Sequence, residues 1–171
     1  GSASITVEAT ENGVTKTIVF SGDIGNLNQP IIRDPVLLTR GDYVVMESTY
    51  GDRDHAEVWS YTSELAKVID RTLGRGGNVV IPAFAVGRTQ ELLYFLRRIK
   101  QEHLVHSVKD FPVYIDSPLA SKATTIFCGD LQGYLDDEAL ALVKNGTDMF
   151  SFPGLRLTES LEESKQLNMD P

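Results

Sequence analysis

A change of hydrophobic period, repeated along the chain, constrains its fold more than any other feature. Short continuous apolar runs at Asp42 to Met46, Val79 to Ala83 and Val113 to Asp116 are each followed by a stretch with apolar residues at helical spacing. Val58, Tyr61, Leu65, Ile69 and Leu73 form one such stretch, and Leu92, Leu93, Phe95, Leu96 and Ile99 another. Unbroken apolar runs suit strands buried on both faces, and the 3.6-residue period suits helices lying on those faces. Strand, helix, strand, helix is the order of an α/β protein built on a parallel sheet with flanking helices.

Local signals fill in this frame. Ile5 to Ala9 and Thr15 to Phe20 alternate as strands do, and Asn12-Gly13 between them signals a tight hairpin turn. Asp34-Pro35 predicts the start of a short helix through Val36, Leu37 and Leu38. The helix ending at Leu73 is capped by Asp54 and Glu57 and stopped by Gly74, Gly76 and Gly77. The spacing predicts a helix over Gln90 to Lys100, and Ser117-Pro118 are N-cap and first residue of a helix reaching Phe127. Asp136 to Lys144 reads as a short helix stopped by Gly146, and Leu155 to Leu157 as a brief strand. Thr158 or Ser160 caps a last helix, with Ser160 and Glu163 spaced as a capping box.

With 171 residues, 42% of them hydrophobic, the chain can build one good core, or one domain and part of another. No apolar run approaches the roughly 20 residues of a membrane span, so a soluble, cytoplasmic protein is expected. The single cysteine, Cys128, excludes an internal disulfide and reads as a small hydrophobe facing a helix core. Net charge is −8 but uneven: residues 129–171 carry 9 acids and 3 bases, whereas residues 71–122 carry 8 bases and 4 acids. That argues against indiscriminate nucleic-acid binding and leaves room for a directed phosphate contact. The opening Gly1-Ser2-Ala3 reads as the remnant of a tag on an excised piece of a longer protein.

Two carboxylates stand where apolar runs give way to loop: Asp23 in FSGDIG and Glu47 in VMESTYG. Loops at strand ends are where open α/β proteins gather their chemistry. Asp23 reads either as a turn-forming Asx residue or as a metal ligand. A carboxylate ending an apolar strand, as Glu47 does, must be solvated, paired or functional. Arg88, in PAFAVGRTQE, opens a helix after a Gly-containing loop, where backbone N–H groups and a guanidinium suit a phosphate; pairing with Glu91 is the plainer reading. The spacing is not that of a Walker loop. Ser117, Ser121 and Lys122, in DSPLASK, form a second such helix start, with Ser117 as an ordinary N-cap the competing reading. Asp116 ends its strand and can pair or orient the loop. His55 stands alone in a loop, His103 and His106 fall near a basic helix end, and no HxH or HExxH occurs. The chain therefore does not supply a complete metal site by itself.

Taken in order, FSGDIG, VMESTYGDRDH, RGGNVVIPAFAVGRTQELL and FPVYIDSPLASK resemble the β-CASP branch of the metallo-β-lactamase superfamily, whose nucleases process RNA. The resemblance covers about Thr17 to Asn168 and lies in the ordered set more than in any one phrase. It implies an incomplete β-CASP domain at 51–171, preceded at 1–50 by a hairpin and strand of a metallo-β-lactamase αββα half. It implies a zinc-dependent ribonuclease that hydrolyses RNA phosphodiester bonds with two zinc ions.

The resemblance also implies roles. Asp23 matches the aspartate bridging the two zinc ions, and Glu47 an acidic residue that orients a catalytic histidine from outside the metal shell. Arg88, Ser117, Ser121 and Lys122 fall in segments lining the RNA groove. His55 matches a loop histidine of bacterial members, to which no role is assigned. The HxHxDH signature and the histidines that follow the β-CASP region are absent. The piece is therefore expected to bind little zinc and to be inactive alone. Its expected partners are RNA, the N- and C-terminal parts of the same polypeptide and a second copy in a homodimer. Two alternatives stand: a non-catalytic RNA-binding or scaffolding member of the family, and a free-standing nucleotide-binding α/β module.

Overall fold

The computed structural model describes residues 3–25, 27–54, 61–129, 131 and 133–169. The chain divides into two compact units, one of residues 1–29 and 33–56, the other of residues 30–32 and 57–171. Helices and small sheets together make it a mixed α/β chain.

In the first unit, β1 (Ile5–Glu11) and β2 (Val14–Phe20) pair antiparallel from Ile5 opposite Phe20 to Glu11 opposite Val14. The two-residue turn works because Asn12 and Gly13 both take positive φ, 51° and 78°, matching the twist of the strands they join. β3 (Tyr43–Val45) adds parallel to β2, giving the order β1-β2-β3. Asp42 sets that register, because its N–H donates to Thr17 O at 2.8 Å and its Oδ2 accepts Thr17 N–H at 2.8 Å. The Thr17 bond and the Lys16 ammonium 3.1 Å away hold its carboxyl below the usual range.

Two expectations for this unit are corrected. Residues 43–45 are exposed, not buried on both faces, since among the described residues β3 is an edge strand paired with β2 alone. No helix forms at 36–38, where Val36 is 87% exposed. Asp34, the expected cap, instead accepts the N–H of Asn28 at 2.6 Å and closes the preceding loop.

The second unit is organised around α2 (Arg88–Gln101), which buries Leu93, Tyr94, Phe95, Leu96 and Ile99. Packed into the same core are Ala66 and Ile69 of α1 (Tyr61–Leu73), Ile115 of β4 (Val113–Ile115), Ala120 of α3 (Pro118–Phe127) and Ala139 of α4 (Asp137–Lys144). Tyr61 meets Phe95 edge-on at 6.4 Å, and Phe127 meets Phe150 at 6.1 Å. Tyr94 donates its hydroxyl to Glu138 of α4; burial first, and this carboxylate second, push the phenol well above its ordinary range. β5 (Leu155–Leu157) pairs parallel with β4, after the chain has crossed through α3 and α4. α5 (Leu161–Leu167) closes the described chain with Ser160 and Glu163 in a capping box.

Lys100 fastens the starts of β4 and β5 together. Its ammonium donates to Phe111 O at 2.6 Å and Pro153 O at 2.7 Å, pairs with Asp110 at 2.9 Å and lies 4.7 Å from the Phe111 ring. Gly154, with φ of 87°, leaves room for it, since a Cβ there would fall 2.8 Å from Nζ.

Two more corrections belong here. Among the described residues, 79–83 join no ladder; Val80 is 88% exposed and Pro82 removes a donor from the run. Cys128 is exposed at the C-cap of α3, because Ala120 and Ala123 occupy the buried stripe of that helix. The expected helix start at Glu57 and Val58 lies outside the described residues. Among the described residues no helix is long and apolar enough to cross a membrane.

Candidate functional site

The parallel pairing of β2 with β3 delivers both strand-end carboxylates of the first unit to one edge. Phe20 lies opposite Val45, so Asp23 follows its strand by three residues and Glu47 by two, at the same end of the sheet. Gly22, with φ of 62°, makes the turn that exposes Asp23. Asp23 lines a shallow cleft with Ser4, Ser21, Ile24, Pro35, Val36 and Leu38. Ser4 Oγ donates to Ser21 O at 2.8 Å and Ser21 Oγ to Gly22 O at 2.7 Å, fixing the backbone under the carboxylate. Glu47 is also exposed, and its Oε2 accepts the Thr49 N–H at 2.6 Å, closing a turn of its own chain.

Neither carboxylate completes a metal site. Among the described residues no three His, Cys, Asp or Glu side chains come together as a metal would require. A divalent ion needs several donors, and Asp23 offers one carboxylate at the mouth of an otherwise hydroxyl-lined and apolar cleft. The donor set of the described residues does not fit a bound zinc pair. His55 lies outside the described residues.

The second unit holds the other candidates at two helix starts. Arg88 is the first residue of α2, 57% exposed at its side chain, and its Nη1 meets Glu91 Oε2 at 2.5 Å. The plainer reading, an ion pair one turn apart, is therefore present. It also orients the guanidinium while leaving much of it facing solvent. Glu91 is mostly buried, with Oε1 lacking a partner; burial raises its carboxyl pKa, and Arg88 works against that rise.

Ser117 is the N-cap of α3, accepting the Ala120 N–H at 3.2 Å, with Pro118 in the first turn. Ser121 Oγ donates back to Ser117 O at 3.2 Å, so its lone pairs remain for a further donor. Lys122 is exposed on the first turn and a half of the same helix. Asp116 accepts Ser164 Oγ at 2.9 Å, which ties the end of β4 to α5 and fixes the loop carrying Ser117.

One residue that sequence reading passed over joins these helix starts. Gln90 is 0% exposed, and its side chain binds both the loop before Arg88 and Thr124 of α3. Its signal was present as a Gln three residues after a Gly at a helix start, the spacing by which a side chain reaches back to the cap N–H.

Known proteins are similar to this chain over much of its length. Residues 89–171 match the family model described as Beta-Casp domain. The chain is 37% identical over 159 residues to Ribonuclease TTHA0252 of Thermus thermophilus, covering 93% of this chain and 36% of that protein. It is 39% identical over 88 residues to Endoribonuclease ysh1 of Schizosaccharomyces pombe, covering 52% of this chain and 11% of that one. It is 29% identical over 174 residues to an RNase J-like protein of Methanocaldococcus jannaschii, covering 100% of this chain and 38% of that protein. The chain thus spans between about a tenth and two fifths of these relatives.

Proposed function

The chain belongs to the β-CASP family of the metallo-β-lactamase superfamily, and from this we propose that it is part of a metal-dependent ribonuclease hydrolysing RNA phosphodiester bonds. One observation carries the reading: the 37% identity to a ribonuclease runs over 93% of the chain, and so over both units. Residues 1–50 are the proposed metallo-β-lactamase part, contributing a hairpin and strand of its αββα half, and residues 51–171 the β-CASP part. The reading places the protein in the cytoplasm.

Asp23 is proposed as one metal ligand, two zinc ions as its complement, and Glu47 as the residue orienting a histidine beside them. The remaining ligands belong, on this reading, to other parts of the same polypeptide, and the 171 residues alone are inactive. What these residues contribute directly is the grip on substrate. Arg88 and Lys122, with the backbone N–H groups at the Ser117 start, are donors suited to phosphate oxygens, and Ser121 joins them when its hydroxyl turns its proton from Ser117 O to the substrate. A single strand is held through its backbone by such groups without reading its sequence.

The test is cleavage of a labelled single-stranded RNA by the natural polypeptide containing these residues, before and after chelation. Cleavage abolished by a chelator and restored by zinc is expected. Hydrolysis that continues undiminished after metal removal would overturn the reading.

A further inference from the structure

A buried glutamine is an expensive choice in a helical core: it loses rotamer freedom and its amide must be satisfied on both sides. At Gln90 every role is filled. Oε1 accepts the Gly87 N–H at 2.7 Å, and Nε2 donates to Ala85 O at 3.1 Å and to Thr124 Oγ1 at 2.9 Å. The opposite amide orientation would set its NH2 against the Gly87 N–H and its oxygen against Ala85 O, so this orientation is the one the neighbours impose. Thr124 spends its own hydroxyl proton on Ala120 O at 2.9 Å and is left only to accept. The donors therefore run from the Gly87 N–H of the loop through Gln90 to Thr124 and on to Ala120 O of α3, and the second Gln90 N–H returns to Ala85 O of the loop.

The bond to Thr124 fixes more than a contact. Thr124 lies seven residues after Ser117, about 10 Å along the helix axis at 1.5 Å per residue. It sets how far along α3 the start of α2 sits. On the loop side, Thr89 Oγ1 donating to Phe84 O at 2.7 Å closes the same turn. We propose that Gln90 is a positioning residue for RNA binding: it holds the backbone leading into Arg88 and fixes that guanidinium relative to the Ser117 to Lys122 turn. This rests on the reading that Arg88 and the Ser117 start hold phosphates. Gln90 touches no substrate and acts through Arg88.

The test measures binding of a labelled single-stranded oligoribonucleotide to the chain across a salt series, with thermal unfolding followed in parallel. The slope of log Kd against log salt counts phosphates neutralised, about 0.7 per phosphate on a single strand, and a purely structural role does not move it. Arg88→Ala and Gln90→Met are each expected to reduce the slope by about 0.7, and the double variant to reduce it no further than either alone. Thr124→Val keeps the loop bonds and removes only the link to α3; it is expected to weaken binding about threefold to tenfold, the worth of one hydrogen bond.

If Arg88→Ala lowers the slope while Gln90→Met and Thr124→Val lower only the unfolding temperature, Gln90 is packing and the assignment is overturned. If Arg88→Ala leaves the slope unchanged, or the parent chain does not bind the oligonucleotide, the phosphate reading fails first and the assignment falls with it.

Discussion

Replacing Lys100 by Met isolates what one ammonium does for the second unit. Met keeps the stem's apolar packing and removes the three donors. Phe111 O then loses a charged donor at a partly buried site, which costs about 1.5–3 kcal/mol. Pro153 O is exposed and recovers a water, so its loss is about 0.5–1 kcal/mol. The ion pair to the exposed Asp110 adds little. The sum is about 2–4 kcal/mol, a large share of a domain's stability. Chemical denaturation followed by near-ultraviolet circular dichroism measures it, and hydrogen exchange at Val113, whose N–H donates to Gly154 O, localises it to the joined strand starts. Stability of Lys100→Met within about 0.5 kcal/mol of the parent would refute the reasoning, since packing alone would then explain the site. The consequence reaches the candidate site, because β4 ends one residue before Asp116 and two before the Ser117 cap.

Two further outcomes follow from local geometry. Asp70 Oδ1 accepts the N–H groups of both Ser107 and His106 at 2.7 Å, and these bonds hold its carboxyl below the ordinary 3.8. A lowered folded pKa means stability that is complete above 3.8 and lost as pH falls through the folded value; Asp70→Asn should therefore be less stable than the parent at neutral pH and converge with it below pH 3.8, as measured by unfolding midpoints across a pH series. At Gly41 a Cβ would fall 2.9 Å from Cγ2 of the buried Val19, so Gly41→Ala should destabilise the first unit by about 1–3 kcal/mol, and adding Val19→Ala should relieve part of that strain in a double-mutant cycle.

What was legible in the sequence was what neighbours in sequence decide. Ser117-Pro118, Asp136 before α4, Gly146 after it and the Ser160 and Glu163 box each act within four residues, and each stands where its spacing put it. The central helix was equally plain, because its apolar residues are buried nearly all round. What misled was whatever depends on a distant partner. Val79 to Ala83 has the composition of a strand but no ladder to join among the described residues, and Asp34-Pro35 has the spacing of a helix start but spends its carboxylate on Asn28. Lys100 read as a basic residue at a helix end, and only the fold shows two carbonyls more than ten residues away converging on it. At the candidate site the residue types were legible and their linkage was not. Arg88 and Ser117 stood out singly, and the spacing of Gly87 and Gln90 signalled a cap, whereas the bond from Gln90 to Thr124 joins residues 34 apart and shows only in the fold.

Asp23 is the metal ligand proposed for this ribonuclease. Metal content and RNA cleavage of the natural polypeptide containing these residues, compared with its Asp23→Ala variant, test it directly. Bound zinc should fall by at least one ion and cleavage by a factor of about 100 or more, while RNA binding through the second unit persists. Zinc content and cleavage equal to the parent's would contradict the claim.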